Sequence, residues 1–390
     1  MGCPRCGKRM LVSVASIGKQ GTCPACKHLF VPGHTATEAA RFKESKSKKL
    51  ARSVVQQVQA FVCAFSGLKP LEGFHLAYLS ANPFQRRSRE ELDTYFNAGS
   101  PQTTPSLAAV STEWPRPWFF WRLLIFGAAV LLAFIVGYQA FDNSKLVPGI
   151  IITGAFCVPL ACVSLFFEFN VLRDISLYQV LKFIVGGGAV SIFIALALYH
   201  ATHLEETFLG ATSAGIVEEI AKVVTAVVLL RTMPHLKWIL NGLLVGAAVG
   251  AGFAGFESAG YIFESFVQGI THSHQPALAL YGTLFLRAIF APFCHVVWTA
   301  AVVGGLWRVK RDLPFRAKML IHPDFLRVLG FVMLLHMLWN SGLLWGAFGV
   351  ILFKVEGYFW VTSFVGSWYL VLLLVQEGLW QVRLAQTRGN

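Results

Sequence analysis

Eight apolar stretches, each about as long as a lipid bilayer is thick, occupy most of residues 118–382 of this 390-residue chain. They run approximately Trp118 to Phe141, Val147 to Phe167, Val180 to His200, Phe208 to Leu230, Trp238 to Phe263, Leu278 to Trp307, Phe325 to Phe348 and Phe359 to Val382. Crossing ~30 Å of hydrocarbon takes roughly 20 helical residues. Lipid offers the backbone no hydrogen-bonding partner, so each stretch must satisfy its own amides as a helix. The composition agrees, with 55% hydrophobic and 14% charged residues against roughly 25% charged in a soluble domain.

Basic residues at the ends of the stretches alternate in a way that orients them, because Lys and Arg in short loops stay on the cytoplasmic side. Arg116 and Arg122 flank the start of the first stretch, Arg173 and Lys182 lie between the second and third, and Arg231 and Lys237 between the fourth and fifth. Arg308, Lys310, Arg311, Arg316, Lys318 and Arg327 lie between the sixth and seventh, and Arg383 and Arg388 close the chain. The intervening loops at Asp142 to Lys145, Thr202 to Glu206 and Glu264 to Gln275 are poor in positive charge, and Lys354 to Glu356 carries no bias. Both termini are therefore expected in the cytoplasm, in an integral protein of the cell membrane. The net charge of +13 follows largely from this rule and does not call for a nucleic-acid partner. The first residues lack a basic start followed by an apolar core, so the first stretch is expected to serve as an uncleaved anchor.

Ahead of the membrane region stand Cys3-Pro4-Arg5-Cys6 and Cys23-Pro24-Ala25-Cys26. Two such pairs at this separation can close four thiolates on one Zn²⁺ and stabilise a segment with almost no core of its own. A redox pair is the competing reading, but it normally rides on a larger unit than this. Residues 1–33 are thus expected to form a zinc ribbon holding a structural zinc at Cys3, Cys6, Cys23 and Cys26. A reducing, cytoplasmic location suits free thiolates. The scattered Cys63, Cys157, Cys162 and Cys294 read as small buried hydrophobes. The ribbon is basic at Arg5, Lys8, Arg9, Lys19 and Lys27, yet nothing in it reads bases; a cytoplasmic protein partner is the expected use.

Residues 34–117 differ again, and are expected to form a cytoplasmic basic and helical region followed by a linker. Arg41, Lys43, Lys46, Lys48, Lys49 and Arg52 mark either a solvated helix face or a segment drawn to an anionic leaflet. Ser88-Arg89-Glu90-Glu91 has capping-box spacing and predicts a short helix through Phe96. Asn97 to Pro117 is rich in Gly, Ser, Thr and Pro and reads as the linker. The expected fold is thus an all-α polytopic membrane protein of about eight transmembrane helices, with a small N-terminal zinc-ribbon domain.

The chemistry sits where charge is most expensive. Glu218, Glu219, Lys222, Glu257, Arg287, His295, His336 and Asn340 all fall within apolar stretches, and an ionised side chain at a helix centre costs about 2.5–3.5 kcal/mol even on the lenient insertion scale. Lys222 follows Glu218 by four residues and Glu219 by three, within reach of both along a helix. One carboxylate can then be ion-paired while the other acts as a general base. Phe253 and Glu257 share a face among many Gly and Ala residues that let helices pack closely. Arg287 reads as a counter-ion to a carboxylate. Asn340 lies one turn beyond His336. Two His and one Glu with a water in the open position make a catalytic zinc shell, and a second Glu could deprotonate that water. Taken singly, an intramembrane His is more often an interhelical hydrogen bonder, and a Glu pair could serve ion coupling. Together they indicate an active site inside the bilayer.

In order, Glu218-Glu219-x-x-Lys222, Phe253-x-x-x-Glu257, His295 after Pro292-Phe293-Cys294, and His336-Met337-Leu338-Trp339-Asn340 resemble the motifs of PrsW-type intramembrane proteases, a family related to the CAAX prenyl endopeptidases. The resemblance covers Trp118 to the C-terminus and implies a transmembrane protease domain over residues 118–390, acting on a membrane-anchored protein or peptide within the lipid bilayer. It implies that Glu218 or Glu219 activates water, with Lys222 beside them, while Glu257, His295 and His336 bind a catalytic metal such as zinc or stabilise the oxyanion. Asn340 would orient the site or bind substrate; the family pattern ends there in Asp, so a carboxylate role at this position is excluded. Glutamate-activated water without a metal fits the same residues. The competing classes are a proton- or cation-coupled transporter, which would show an inverted repeat with broken helices in both halves, and a catalytically inactive membrane scaffold. The polar residues fall only in the second half.

Overall fold

The computed structural model describes residues 6, 21–27, 29–30, 46–273, 275–341 and 349–388. By their contacts the residues divide into two units, Met1–Gln57 and Val58–Asn390. In the first, strands β1 (Gly21–Thr22) and β2 (Leu29–Phe30) pair antiparallel, Gly21 opposite Phe30. The turn between them carries Cys23 and Cys26, with Lys27 at φ 57° and its N–H donating to the Cys23 carbonyl at 3.0 Å. Cys6 Sγ lies 3.8 Å from Cys23 Sγ, and an ion bound by four thiolates at ~2.3 Å spaces its sulfurs by about that much. The sulfurs of Cys6, Cys23 and Cys26 lie within 4.8 Å of one another; Cys3 falls outside the described residues.

The regular elements among the described residues of the second unit are all helices. Helix α1 (Lys46–Ser66) ends in it. Helix α2 (Arg89–Phe96) starts at the expected capping box: Ser88 Oγ accepts from the Glu91 N–H at 3.0 Å, and Glu91 Oε2 accepts from the Ser88 N–H at 2.9 Å. The segment expected to be a linker is tied down rather than free. Gly99 N–H donates to the Arg173 carbonyl at 2.8 Å, and Gln386 Nε2 donates to the carbonyls of Leu107 and Val110, each at 2.8 Å.

Next come α3 (Phe119–Phe141), α4 (Val147–Phe169), α5 (Leu177–Lys182), α6 (Gly188–Thr202) and α7 (Ala214–Arg231), followed by α8 (Ile239–Gln268), α9 (Pro276–Ala291), α10 (Val297–Lys310), α11 (Pro323–Trp339) and α12 (Gly349–Arg388). π-helical turns at Phe183–Gly187 and Pro292–Val296 join α5 to α6 and α9 to α10. Among the described residues five helical stretches are long and apolar enough to cross a membrane: Phe119–Phe141, Ser144–Phe169, Leu177–Thr202, Ile239–His272 and Ser363–Arg388. The expected count of eight is not reached on that criterion. The remaining three candidates are α7, which carries Glu218, Glu219, Lys222 and Arg231; the α9–α10 pair, divided by a π turn; and α11, only 17 residues long.

Helix α8 is the centre of the unit, with 94% of its most apolar window buried against none for α3. Its small residues explain why neighbours can close on it. A Cβ on Gly250 would stand 2.6 Å from the His295 carbonyl oxygen, and one on Gly252 would collide with the Ile184 carbonyl. The backbones that carry the site therefore approach one another with no side chain between them.

Candidate active site

Helix α7 places Glu218, Glu219 and Lys222 on one face, as their spacing requires, and buries all three. The Lys222 ammonium lies 2.8 Å from Glu219 Oε1, 3.5 Å from Glu218 Oε2 and 3.1 Å from His295 Nδ1, and 4.2 Å from the centre of the Phe253 ring on α8. An ammonium has only protons to offer, so His295 accepts at Nδ1 and turns its Nε2–H toward Glu257 Oε2 at 3.2 Å. His295 belongs to the π turn that begins at Pro292. A proline cannot donate to the preceding turn, which favours such a widening and re-aims the residues after it.

From α11, His336 Nδ1 meets Glu219 Oε1 at 2.9 Å. A carboxylate only accepts, so the proton is on Nδ1 and the Nε2 lone pair faces Glu218 Oε2, 3.8 Å away. His295 Nδ1 is also 3.8 Å from that oxygen. One ligand atom each from Glu218, His295 and His336 lies within 4.8 Å of the others, and all three residues are buried. Expectation grouped Glu257 with the two histidines; the structure brings Glu218 to that position. Glu257 reaches His295 but also accepts from Arg287 Nη2, whose Nε donates to Ser258 Oγ at 3.2 Å. Arg287 is thus the carboxylate counter-ion that its place in an apolar stretch implied. Asn340 ends α11, its N–H donating to the His336 carbonyl at 3.1 Å.

Two contributors were not foreseen. Tyr199 of α6 donates to Glu218 Oε1 at 3.4 Å, and Trp298 packs its ring 4.5 Å from that of His336 while its Nε1–H donates to Ser367 Oγ at 2.8 Å. A lone aromatic inside an apolar run carries no periodic signal, and both contacts depend on which helices become neighbours.

The six polar side chains Glu218, Glu219, Lys222, Glu257, His295 and His336, together with Asn340, all lie within residues 176–373, which match a family model described as PrsW family intramembrane metalloprotease. No curated protein and no solved structure matches the chain significantly. The matched segment is just over half of the 390 residues, and the chain belongs to the PrsW family of intramembrane metalloproteases.

Proposed function

We propose that this intramembrane protease is an endopeptidase that cuts membrane-anchored proteins or peptides, with Glu219 activating the attacking water. The observation that carries this reading is the convergence of Glu218, Glu219, Lys222, His295 and His336 from α7, the π turn and α11 on one buried point, with the partly exposed Glu257 of α8 at its edge. The hydrogen bonds divide the labour. Glu219 Oε1 already accepts from Lys222 and His336, whereas Oε2 is buried without a hydrogen-bonding partner among the described residues. Oε2 is therefore the lone-pair set available to take a proton from water and pass it to the leaving amine.

Glu218 through Oε2 and His336 through the Nε2 lone pair that faces it would hold a divalent metal, and His295 would join them through Nδ1 once that lone pair gives up its hydrogen bond to Lys222. Glu219 supports the fit by accepting from His336 Nδ1, the outer contact that fixes the tautomer of a ligating imidazole. A zinc ion bound there supplies Lewis acidity for the scissile carbonyl and for the water. Asn340, one turn beyond His336, would bind substrate. Phe253 and Trp298 pack against the His295 ring and wall the cluster with apolar surface. In the N-terminal unit, the grouping of Cys6, Cys23 and Cys26 supports a separate structural zinc in residues 1–33.

Cleavage of co-reconstituted membrane substrates by wild type and by Glu219→Gln tests the assignment. We expect kcat to fall by about 10²–10⁴, the usual worth of a general base, at unchanged folding. Equal product from both would remove Glu219 from the mechanism, and no product from either would favour transport or scaffolding. Metal analysis of the full chain separates the two chemistries. His336→Ala should hold about one equivalent less than wild type if the set binds a metal, and the same amount if water is activated by glutamate alone.

A further inference from the structure

The end of α1 lies in a region whose composition indicates cytoplasm, yet its packing does not suit water. Val58 and Val62 are buried, and a Cβ on Gly366 of α12 would stand 3.6 Å from Val58, 3.7 Å from Phe331 of α11 and 3.8 Å from Val62. Three helices therefore converge on one glycine. Cys63 Sγ meets the Tyr369 hydroxyl at 3.7 Å. Gly366 and Tyr369 belong to the apolar stretch Ser363–Arg388. The polar end of that stretch begins at Glu377, paired with Arg308 at 2.8 Å, and continues to Trp380, over which Lys69 sits. Gly366 is eleven residues before Glu377, ~16 Å along a helix, which places the contact about midway through a hydrocarbon layer ~30 Å thick.

The outward side of the same turns is Ala60, Phe61, Ala64 and Phe65, all exposed and none polar. An amphipathic helix lying against a protein in water turns polar residues outward; this one turns out two phenylalanines, 53% and 37% exposed. Their rings flank Phe331 at 6.0 and 5.7 Å, and α11 exposes Leu326 and Leu334 on either side of it. The phenylalanines thus extend the apolar outer surface of α11.

We infer that Val58–Ser66 is embedded in the membrane, docked on α11 and α12, with Phe61 and Phe65 covered by lipid acyl chains. The segment is then a membrane-inserted buttress for α11, which carries His336 five residues beyond Phe331. Past Ser66 the next charge is Lys69, at the level of Trp380, where cationic and aromatic side chains are expected to meet the headgroups.

Photo-crosslinking reads the occupant directly. The photoreactive analogue p-benzoylphenylalanine is placed at position 61 or, separately, 65 of the full chain, reconstituted in phosphatidylcholine liposomes, irradiated and analysed by mass spectrometry. Position 132 on α3 serves as the lipid-facing reference and position 89 as the aqueous one. Lipid adducts at 61 and 65 at a yield comparable to that at 132 are expected. A yield as low as at 89 would show that the face meets water and overturn the proposal. Crosslinks to a second protein chain in place of lipid would overturn it equally.

Discussion

Lys222 shows how a charge can be kept where none should be. Its three ammonium protons meet three acceptors, Glu218 Oε2, Glu219 Oε1 and His295 Nδ1, so the cation and the carboxylates are buried as one compensated group. Removing one member leaves the others unpaired, which in buried ion pairs costs about 3–5 kcal/mol. Lys222→Met should therefore lower the thermal midpoint of the detergent-solubilised protein as well as abolish cleavage. A variant that melts like wild type would show that the carboxylates do not depend on the ammonium. The spacing of Glu218, Glu219 and Lys222 made this group legible on α7 alone. The third acceptor was not, since His295 is 73 residues away and arrives through a π turn that no periodicity announces.

At the level of whole elements, α3 begins on a carboxylate supplied by α4. Glu168 is buried and accepts from the N–H groups of Trp118 at 2.7 Å, Phe119 at 2.9 Å and Phe120 at 2.9 Å. These are donors that a helix start leaves without intrahelical partners, and the positive end of the helix dipole favours the anion. Glu168→Ala orphans all three, and we expect it to destabilise by about 1–3 kcal/mol, read as a lower midpoint in denaturant or heat. The apolar pattern locates both helices within a few residues but not this link, because Glu168 stands 48 to 50 residues from its donors and no local pattern joins them. The same holds for Asn97 to Pro117: its composition does suggest irregular backbone, and only its bonds to Arg173 and Gln386 show that it is held against the helices.

For the whole molecule, we propose that α7, the α9–α10 pair and α11 also cross the membrane, which gives eight spans from α3 to α12 and puts the C-terminus and the segment before α3 on the cytoplasmic side. Impermeant labels on intact cells should then reach residues introduced at Ser144, His203 and Gln268 but not at Arg316 or Arg383, and inverted vesicles should give the reverse. Labelling of Arg316 from the outer face would overturn this topology. Hydropathy, the alternation of Lys and Arg, and the Glu, His and Asn residues stranded in apolar runs are local properties of the chain. They sufficed to give the membrane class, the approximate helix limits and the candidate residues. Which carboxylate stands with the two histidines was not local. Glu218 Oε2 lies 3.8 Å from a nitrogen of each histidine, whereas Glu257 Oε2 meets His295 at 3.2 Å and pairs with Arg287. A contact such as Glu219 with His336, 117 residues apart, exists only once the helices have packed, since it depends on distances between helices that no single segment encodes.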